Sequence, residues 1–107
     1  MGNDLDKKIL ENEIKSRLKT IYDPELPVNI YDLGLIYEFG VDDDFNASIT
    51  MTLTAPNCPV AESLPQEVRE SIQQIMGIKD VKLEIVFDPP WDMEMMTDEA
   101  RLELGFL

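Results

Sequence analysis

The segment ITMTLTAPNCPVAESLPQEVRESIQQIMG, residues 49–77, predicts a strand followed closely by a helix. Its first part alternates apolar residues with threonines, the period of a half-buried strand whose threonines lie on the wet face. Its second part, residues 59–76, has the period of a helix, with one apolar stripe formed by Val60, Leu64, Val68, Ile72 and Ile75. Gly77 is the expected stop, and Pro65 either kinks the helix or marks its true start.

The elements around this segment predict one sheet. Residues 81–87 alternate as a strand, and a strand–helix–strand unit favours a parallel, right-handed crossover. Before the segment, residues 35–41 alternate as a strand, and Asp42-Asp43-Asp44 is the solvated turn of an antiparallel hairpin. An amphipathic helix is predicted over residues 4–21 and a short helix over residues 97–104, with Thr97 as its N-cap.

These elements predict an α/β (α+β) two-layer sandwich with the order α-β-β-α-β-α. The sheet has three strands in a mixed arrangement, and the helices pack on one of its faces. We expect residues 1–107 to form a single domain, with the apolar loop of residues 22–34 packed against it. The first helix is expected to contribute a stripe of Leu5, Ile9, Ile14, Leu18 and Ile21.

The charge of the chain limits its partners. The 107 residues carry a net charge of −13, and this acidity disfavours nucleic acid and anionic membranes. No apolar run reaches the roughly 20 residues of a membrane span, and the first residues lack the apolar centre of a signal peptide. A single cysteine also fits a reducing compartment, so we expect a cytoplasmic protein.

Cys58 is the only cysteine, and Pro59 after it suits the first turn of a helix. The sulfur would lie at the positive end of the helix dipole, which favours the thiolate that binds metals. The alternative is a buried small apolar side chain. Without a histidine or a second cysteine, a cysteine hydrolase, a dithiol redox cycle and a self-contained zinc or cluster site are all excluded. What remains is one metal ligand, completed by a second subunit, a client protein or an exogenous thiol.

Asp23 and Glu25 are candidates for the same site. They lie two residues apart in the sequence DPELP, and in an extended chain such residues point to the same side. A pair of carboxylates could hold a cation beside the cysteine. The alternative is a loop in which Asp23 makes turn hydrogen bonds.

The tail after residue 90 is rich in methionine. Met93, Met95 and Met96 follow Trp91, and methionine fills irregular gaps in cores and also forms adaptable partner surfaces. The tail is therefore expected either to pack over the sheet or to present a binding surface.

Four stretches of the chain carry a family resemblance: DPELPVNIYDLGLIY at 23–37, TMTLTAPNCPVAESLPQEV at 50–68, VFDPPW at 86–91 and DEARLELG at 98–105. As a set they resemble the SufT- and PaaD-like family of metal–sulfur cluster biosynthesis proteins. The resemblance implies the fold of iron–sulfur cluster assembly domains and a role in maturing iron–sulfur proteins without enzymatic turnover. It also implies a shared surface site formed by Asp23, Glu25, Leu26, Thr54 and Cys58.

Two features depart from the family. PaaD proteins carry extra cysteines in a C-terminal extension, and many SufT members carry a long N-terminal extension, and neither is present in these 107 residues. Phenylacetate oxygenase assembly is therefore disfavoured, and the assembly system served stays open.

Two functions follow as hypotheses. In the first, the protein is an accessory or carrier factor in iron–sulfur cluster assembly that uses Cys58 as a transient ligand. Its partners would be scaffold or client apoproteins, and a homodimer could share the ligand set. In the second, the protein is a non-catalytic adaptor that holds clients through its acidic, methionine-bearing surface. No tightly bound cofactor is expected in either case.

Overall fold

The computed structural model describes residues 3–23, 26–54 and 63–105. In chain order its elements are α1 (Asn3–Leu18), β1 (Ile36–Val41), β2 (Asn46–Met51), α2 (Ser63–Gln73), β3 (Asp80–Ile85), one turn of 3-10 helix (Met93–Met95) and α3 (Asp98–Glu103). The predicted order α-β-β-α-β-α is confirmed, with the 3-10 turn added between β3 and α3.

The three strands form one mixed sheet in the order β1-β2-β3. β1 and β2 are antiparallel, and β2 and β3 are parallel, as predicted. Phe39, Ile49 and Leu83 lie side by side in the register, in a row that faces the helices. α1 packs against β1 and α2, and α2 packs against β3, so both long helices cover the same face of the sheet.

The core lies between that face and the helices. The central strand β2 supplies Ile49 and Met51, and α2 supplies Leu64, Val68 and Ile72, all of them buried. The loop between α1 and β1 and the tail after β3 complete the core with Ile30, Leu33, Met96 and Ala100. Burial of one such large apolar side chain contributes roughly 2 kcal/mol to folding.

The apolar stripe predicted for α1 is wrong in its first half. Ile14 and Leu18 are fully buried, whereas Leu5 is 64% exposed and Ile9 is 56% exposed. An α-helix turns about 100° per residue, so the five-residue step from Ile9 to Ile14 rotates the side chain by about 140°. Leu10 lies on the buried side instead and packs against the core.

β2 and β3 both end earlier than predicted. Met51 pairs with Ile36 on one side and with Ile85 on the other, and beyond that row only single backbone hydrogen bonds, from Thr52 to Leu35 and from Val86 to Met51, follow the strand pairing among the described residues. The predicted extension of β2 to residue 54 and of β3 to residue 87 is therefore wrong, and Phe87 is 48% exposed.

α2 also ends early, at Gln73 rather than residue 76, and continues as turns to Gly77, whose φ is +103°. Pro65 lies in the first turn of α2, as expected if it marks the start of the helix. The rest of the predicted start of the helix, residues 59–62, lies outside the described residues.

The tail after β3 crosses the end of the sheet and packs on the loop before β1. The Trp91 indole N–H donates to the Leu33 carbonyl at 2.7 Å, and the Thr97 N–H donates to the Asp32 carbonyl at 2.9 Å. Thr97 also caps α3, as predicted, by accepting from the Ala100 N–H. Much of the tail therefore packs against the rest of the domain.

None of the helices in the described ranges has the length and apolarity to cross a membrane.

Candidate functional site

The site candidates that the structure describes, Asp23, Leu26 and Thr54, lie on two segments that meet at one end of the sheet. The Thr52 N–H, just after β2, donates to the Leu35 carbonyl at 2.8 Å. The Leu35 N–H donates to Ile30, and the Ile30 N–H donates to Ile21 at 2.8 Å. This series of backbone hydrogen bonds fixes the loop of residues 21–34 beside the exit of β2. We call this region, with the tail that crosses it, the site end of the sheet.

Asp23 is buried in a turn of that loop. Its side chain is 8% exposed, and its Oδ2 atom accepts a hydrogen bond from the Leu26 N–H at 2.9 Å. The Asp23 N–H in turn donates to the Val28 carbonyl at 3.3 Å. A short polar side chain that accepts from the backbone a few residues later is a common way to hold a turn. The turn hydrogen bond that the sequence offered as the alternative for Asp23 is present, and its ligand role stays a prediction.

Of the other four site candidates, the structure describes Leu26 and Thr54. Leu26 is half-buried against the core and closes the Asp23 turn. Thr54 is half-buried two residues after Thr52, on the segment bonded to the loop. Glu25 and Cys58 lie outside the described residues. The loop and the exit of β2 thus place Asp23, Leu26 and Thr54 at the same end of the sheet.

Thr52 is a polar residue of the site end whose burial the sequence pattern did not predict. Its side chain is fully buried, and none of the described residues forms a hydrogen bond with its Oγ1 atom. Because the apolar–threonine alternation assigned it to the wet face, that prediction is wrong. Leu53 next to it is also buried, so both faces are covered at this end of the sheet. A buried hydroxyl without a partner costs about 1–3 kcal/mol, and its presence here is unusual.

A polar cleft of about 200 Å³ lies beside the loop, between it and α3. Asp32 and Asn29 line it from the loop, and Glu99 and Glu103 line it from α3. The Asp32 carboxylate accepts from the Asn29 side-chain amide at 2.9 Å, and Asn29 accepts from the Asp32 N–H at the same distance. Within the described ranges, no group of three or more acidic, cysteine or histidine side chains is arranged to hold a metal ion.

Comparison with known proteins gives a family and close relatives. The family described as iron–sulfur cluster assembly protein matches residues 11–85. A protein of Porphyromonas gingivalis named Fe-S protein maturation auxiliary factor is 52% identical over 97 residues, which cover 91% of this chain and 92% of that protein. The Fe-S protein maturation auxiliary factor SufT of Staphylococcus aureus is 38% identical over 79% of this chain and 97% of its own length.

A solved structure has the same fold. A domain of unknown function from Bacillus anthracis superposes with a TM-score of 0.88 at 33% sequence identity, covering 98% of this chain and all of that one. The SufT-like resemblance noted in the sequence is thus confirmed, and so is the predicted fold class.

Proposed function

This chain belongs to the iron–sulfur cluster assembly protein family, and we propose that it is an auxiliary factor that helps mature iron–sulfur proteins in the cytoplasm. The observation that carries the proposal is similarity, over nine-tenths of the chain, to a relative named for Fe-S protein maturation. In this role the cluster is cargo that passes through the protein. The names of the relatives are those of auxiliary factors, and we propose that this chain likewise assists without catalysing a reaction.

We propose that Cys58 acts as a transient ligand of that cargo. It is the only thiol of a chain without histidine, so one protein molecule cannot complete the four ligands that an iron–sulfur cluster usually takes. The remaining ligands would come from a scaffold that gives the cluster or from a client apoprotein that receives it. A single ligand suits transfer because a cluster held by one bond leaves readily.

Asp23, Glu25, Leu26 and Thr54 would form the surface around this ligand. The loop with Asp23 is bonded through Leu35 to the residues just after β2, and Cys58 follows on the same segment. The turn hydrogen bond from Leu26 keeps the Asp23 carboxylate fixed at that end of the sheet. We propose that this loop gives the partner protein its docking surface.

Complementation tests the thiol. A strain that depends on this gene receives the wild-type protein, Cys58→Ser or Cys58→Ala, and the activity of a cluster-dependent enzyme is measured per amount of that enzyme. We expect both variants to behave like the empty vector. Wild-type activity with both variants would overturn the ligand role of Cys58. If deleting the gene left the cluster-dependent enzymes fully active, the proposed function itself would be overturned.

A matched pair of carboxylate variants tests the loop. Asp23→Asn keeps an oxygen that can accept from the Leu26 N–H but removes the negative charge, and Asp42→Asn makes the same change in the hairpin turn. We expect Asp23→Asn to lower complementation and Asp42→Asn to leave it unchanged. Equal effects of the two variants would contradict a role for Asp23 in the site.

The adaptor function is the second candidate, and one observation favours it. Phe87 and Met93 of the tail are 48% and 47% exposed, and they lie among the exposed acidic residues Asp88, Asp92 and Glu94. Apolar side chains surrounded by charge are typical of protein-binding surfaces. Retained client binding and complementation by Cys58→Ser, with loss of both in Met93→Asp, would favour the adaptor.

A further inference from the structure

The two edges of the sheet are protected to different degrees. At β1, the register shifts between Ile36 and Glu38, which leaves Tyr37 as a bulge, and the Glu11 carboxylate of α1 accepts from the Val41 N–H at 3.3 Å. Bulges and covering elements are the usual means by which proteins prevent pairing at an edge. β3 pairs with β2 on one side, and no strand of the described residues pairs with its other side.

The backbone groups of β3 that face outward can be identified. The Val86 N–H, just after β3, donates to the carbonyl of Met51, the last residue of β2, so alternation along the strand turns the N–H groups of Leu83 and Ile85 away from β2. The Val81 N–H, which belongs to the same outward set, donates to the Asp80 carboxylate at 2.8 Å and not to a strand of the described residues. An incoming strand would therefore meet the backbone of Leu83 at the centre of a bare edge.

When two copies of β3 lie antiparallel, their side chains are complementary to each other. Residues 81–85 read Val-Lys-Leu-Glu-Ile, so an antiparallel copy centred on Leu83 places Lys82 opposite Glu84 of the second copy, and does so twice. The same register places Val81 opposite Ile85 and Leu83 opposite itself. Opposite charges and apolar pairs in directly facing positions both stabilise antiparallel strands.

The two faces of the strand support the same register. Lys82 and Glu84 are exposed on the face without helices, where their ion pairs would form. On the helix face, Leu83 is half-buried at a cleft of about 450 Å³ that α2 rims with Arg69 and Glu70. A second leucine can enter this cleft, with one acidic and one basic side chain available from each copy at its rim.

Local charge decides between pairing and repulsion. The chain as a whole carries −13, which keeps copies apart, and charged residues on an edge strand commonly prevent pairing. At the centre of this edge, however, the two bases Lys82 and Arg69 balance the two acids Glu84 and Glu70, while Asp80 adds one negative charge at the start of the strand. The charges of these four residues do not pair with those of an arbitrary strand, but they match their own arrangement after a twofold rotation.

We propose that a second copy of this chain pairs antiparallel with β3 about Leu83, so that two three-stranded sheets form one sheet of six strands. The proposal is independent of the proposed function. Because the strands of the two copies run in opposite directions, the two site ends lie at opposite ends of the new sheet, separated by about 20 Å for a six-residue strand. Each copy therefore keeps its site end accessible to a client, and the dimer does not share a ligand set.

Sedimentation velocity over a range of protein concentrations tests the pairing. We expect a concentration-dependent dimer, and we expect Lys82→Glu or Glu84→Lys to raise its dissociation constant about tenfold or more, since each variant turns two attractive pairs into repulsive ones. Lys8→Glu changes the net charge equally on an exposed part of α1 and should leave the dimer intact. Circular dichroism confirms that each variant is folded.

Mixing the variants gives the sharpest test. The Lys82→Glu protein carries only acids at these two positions and the Glu84→Lys protein only bases, so an equal mixture should form a heterodimer, and the double variant Lys82→Glu/Glu84→Lys should again form a homodimer. Zero-length cross-linking of an isotopically mixed sample should join Lys82 of one copy to Glu84 of the other. A wild-type protein that stays monomeric at every concentration, or a dimer indifferent to these changes, would overturn the proposal.

Discussion

The two ends of the sheet satisfy their polar groups in different ways. At the turn end, between β1 and β2, the Asp42 Oδ1 atom accepts from the Asp44 and Asn46 N–H groups, both at 2.9 Å. At the site end, Trp91 donates to Leu33 and Thr97 donates to Asp32, across more than half of the chain length. The turn end is a local structure that forms from neighbouring residues, whereas the site end exists only after the tail has folded back over the loop. Substitutions that loosen the tail should therefore act on the site before they act on the hairpin.

We expect the largest loss of stability at the site end from a substitution of Gly34. Its φ is +85°, and a Cβ atom added there would overlap the backbone carbonyl of Met95. We expect Gly34→Ala to lower the free energy of unfolding by about 4 kcal/mol, through left-handed strain and crowding together. Gly105→Ala is the control, because φ is +83° there and no atom of the described residues lies within 4 Å of the added Cβ position. It should cost only about 1 kcal/mol, and equal losses in denaturant titrations of the two variants would contradict the close packing of the tail.

Met96 and Ile9 compare the apolar contacts of the two ends. Met96 of the tail is 5% exposed, whereas Ile9, beside the turn end, is 56% exposed. Met96→Ala should cost about 3 kcal/mol because it leaves a cavity under the tail, and Ile9→Ala should cost less than about 0.5 kcal/mol. Chemical denaturation measures the free energy of unfolding of both variants. A larger loss for Ile9→Ala than for Met96→Ala would contradict this prediction.

Thr52 offers a gain of stability at the site end. Valine has nearly the same shape and removes a buried hydroxyl that no described residue bonds, so Thr52→Val should raise the free energy of unfolding by about 1 kcal/mol. Thr50→Val, two residues earlier on β2, is the control, and it should change stability by less than about 0.5 kcal/mol because Thr50 is half-buried on the face without helices. If thermal melts show a loss for Thr52→Val, then the hydroxyl makes a hydrogen bond.

Asp42 should give the smallest effect, and it should depend on pH. The hydrogen bond from the Asn46 N–H, with further bonds from the Asn46 side chain and the Asp44 N–H, holds the pKa of Asp42 below its ordinary value. The folded state then binds its proton less readily than the unfolded state, so the carboxylate stabilises the fold above the unfolded pKa. This stabilisation is lost as the pH falls through the lowered pKa. The stability difference between wild type and Asp42→Asn should therefore shrink in acid, and a constant difference in melts across that range would contradict the assignment.

Local sequence signals predicted the fold well, and long-range contacts were the ones they missed. Periods of two and 3.6 residues gave the three strands, the order of the elements and the parallel crossover. The prediction for α1 was wrong because of the five-residue step between Ile9 and Ile14. The four-residue steps on either side of it are each typical of a helix, but the longer step places Ile9 and Ile14 on different faces of the helix. The early ends of β2 and β3 depend on where neighbouring strands stop, which a single strand does not encode.

The site was predictable only in part. For the DPELP motif, the sequence offered a turn held by Asp23 as the alternative to a carboxylate pair, and the hydrogen bond from Leu26 to Asp23 holds such a turn. The burial of Thr52 depends on cover from both sides, and neither the loop nor the tail signals in sequence where it will pack. The ligand role of Cys58 remains a prediction that rests on the chemistry of a lone thiol.

The hydrogen bond from Trp91 to the Leu33 carbonyl also gives the protein an intrinsic fluorescent probe at the site end. The chain holds a single tryptophan, and its half-buried indole sits where the tail crosses the loop at the site end. Its emission therefore reports on the docking of the tail without any added label. A client that binds the site end should shift this emission, while pairing centred on Leu83 of β3 should leave it unchanged, so one spectrum can separate the two kinds of association.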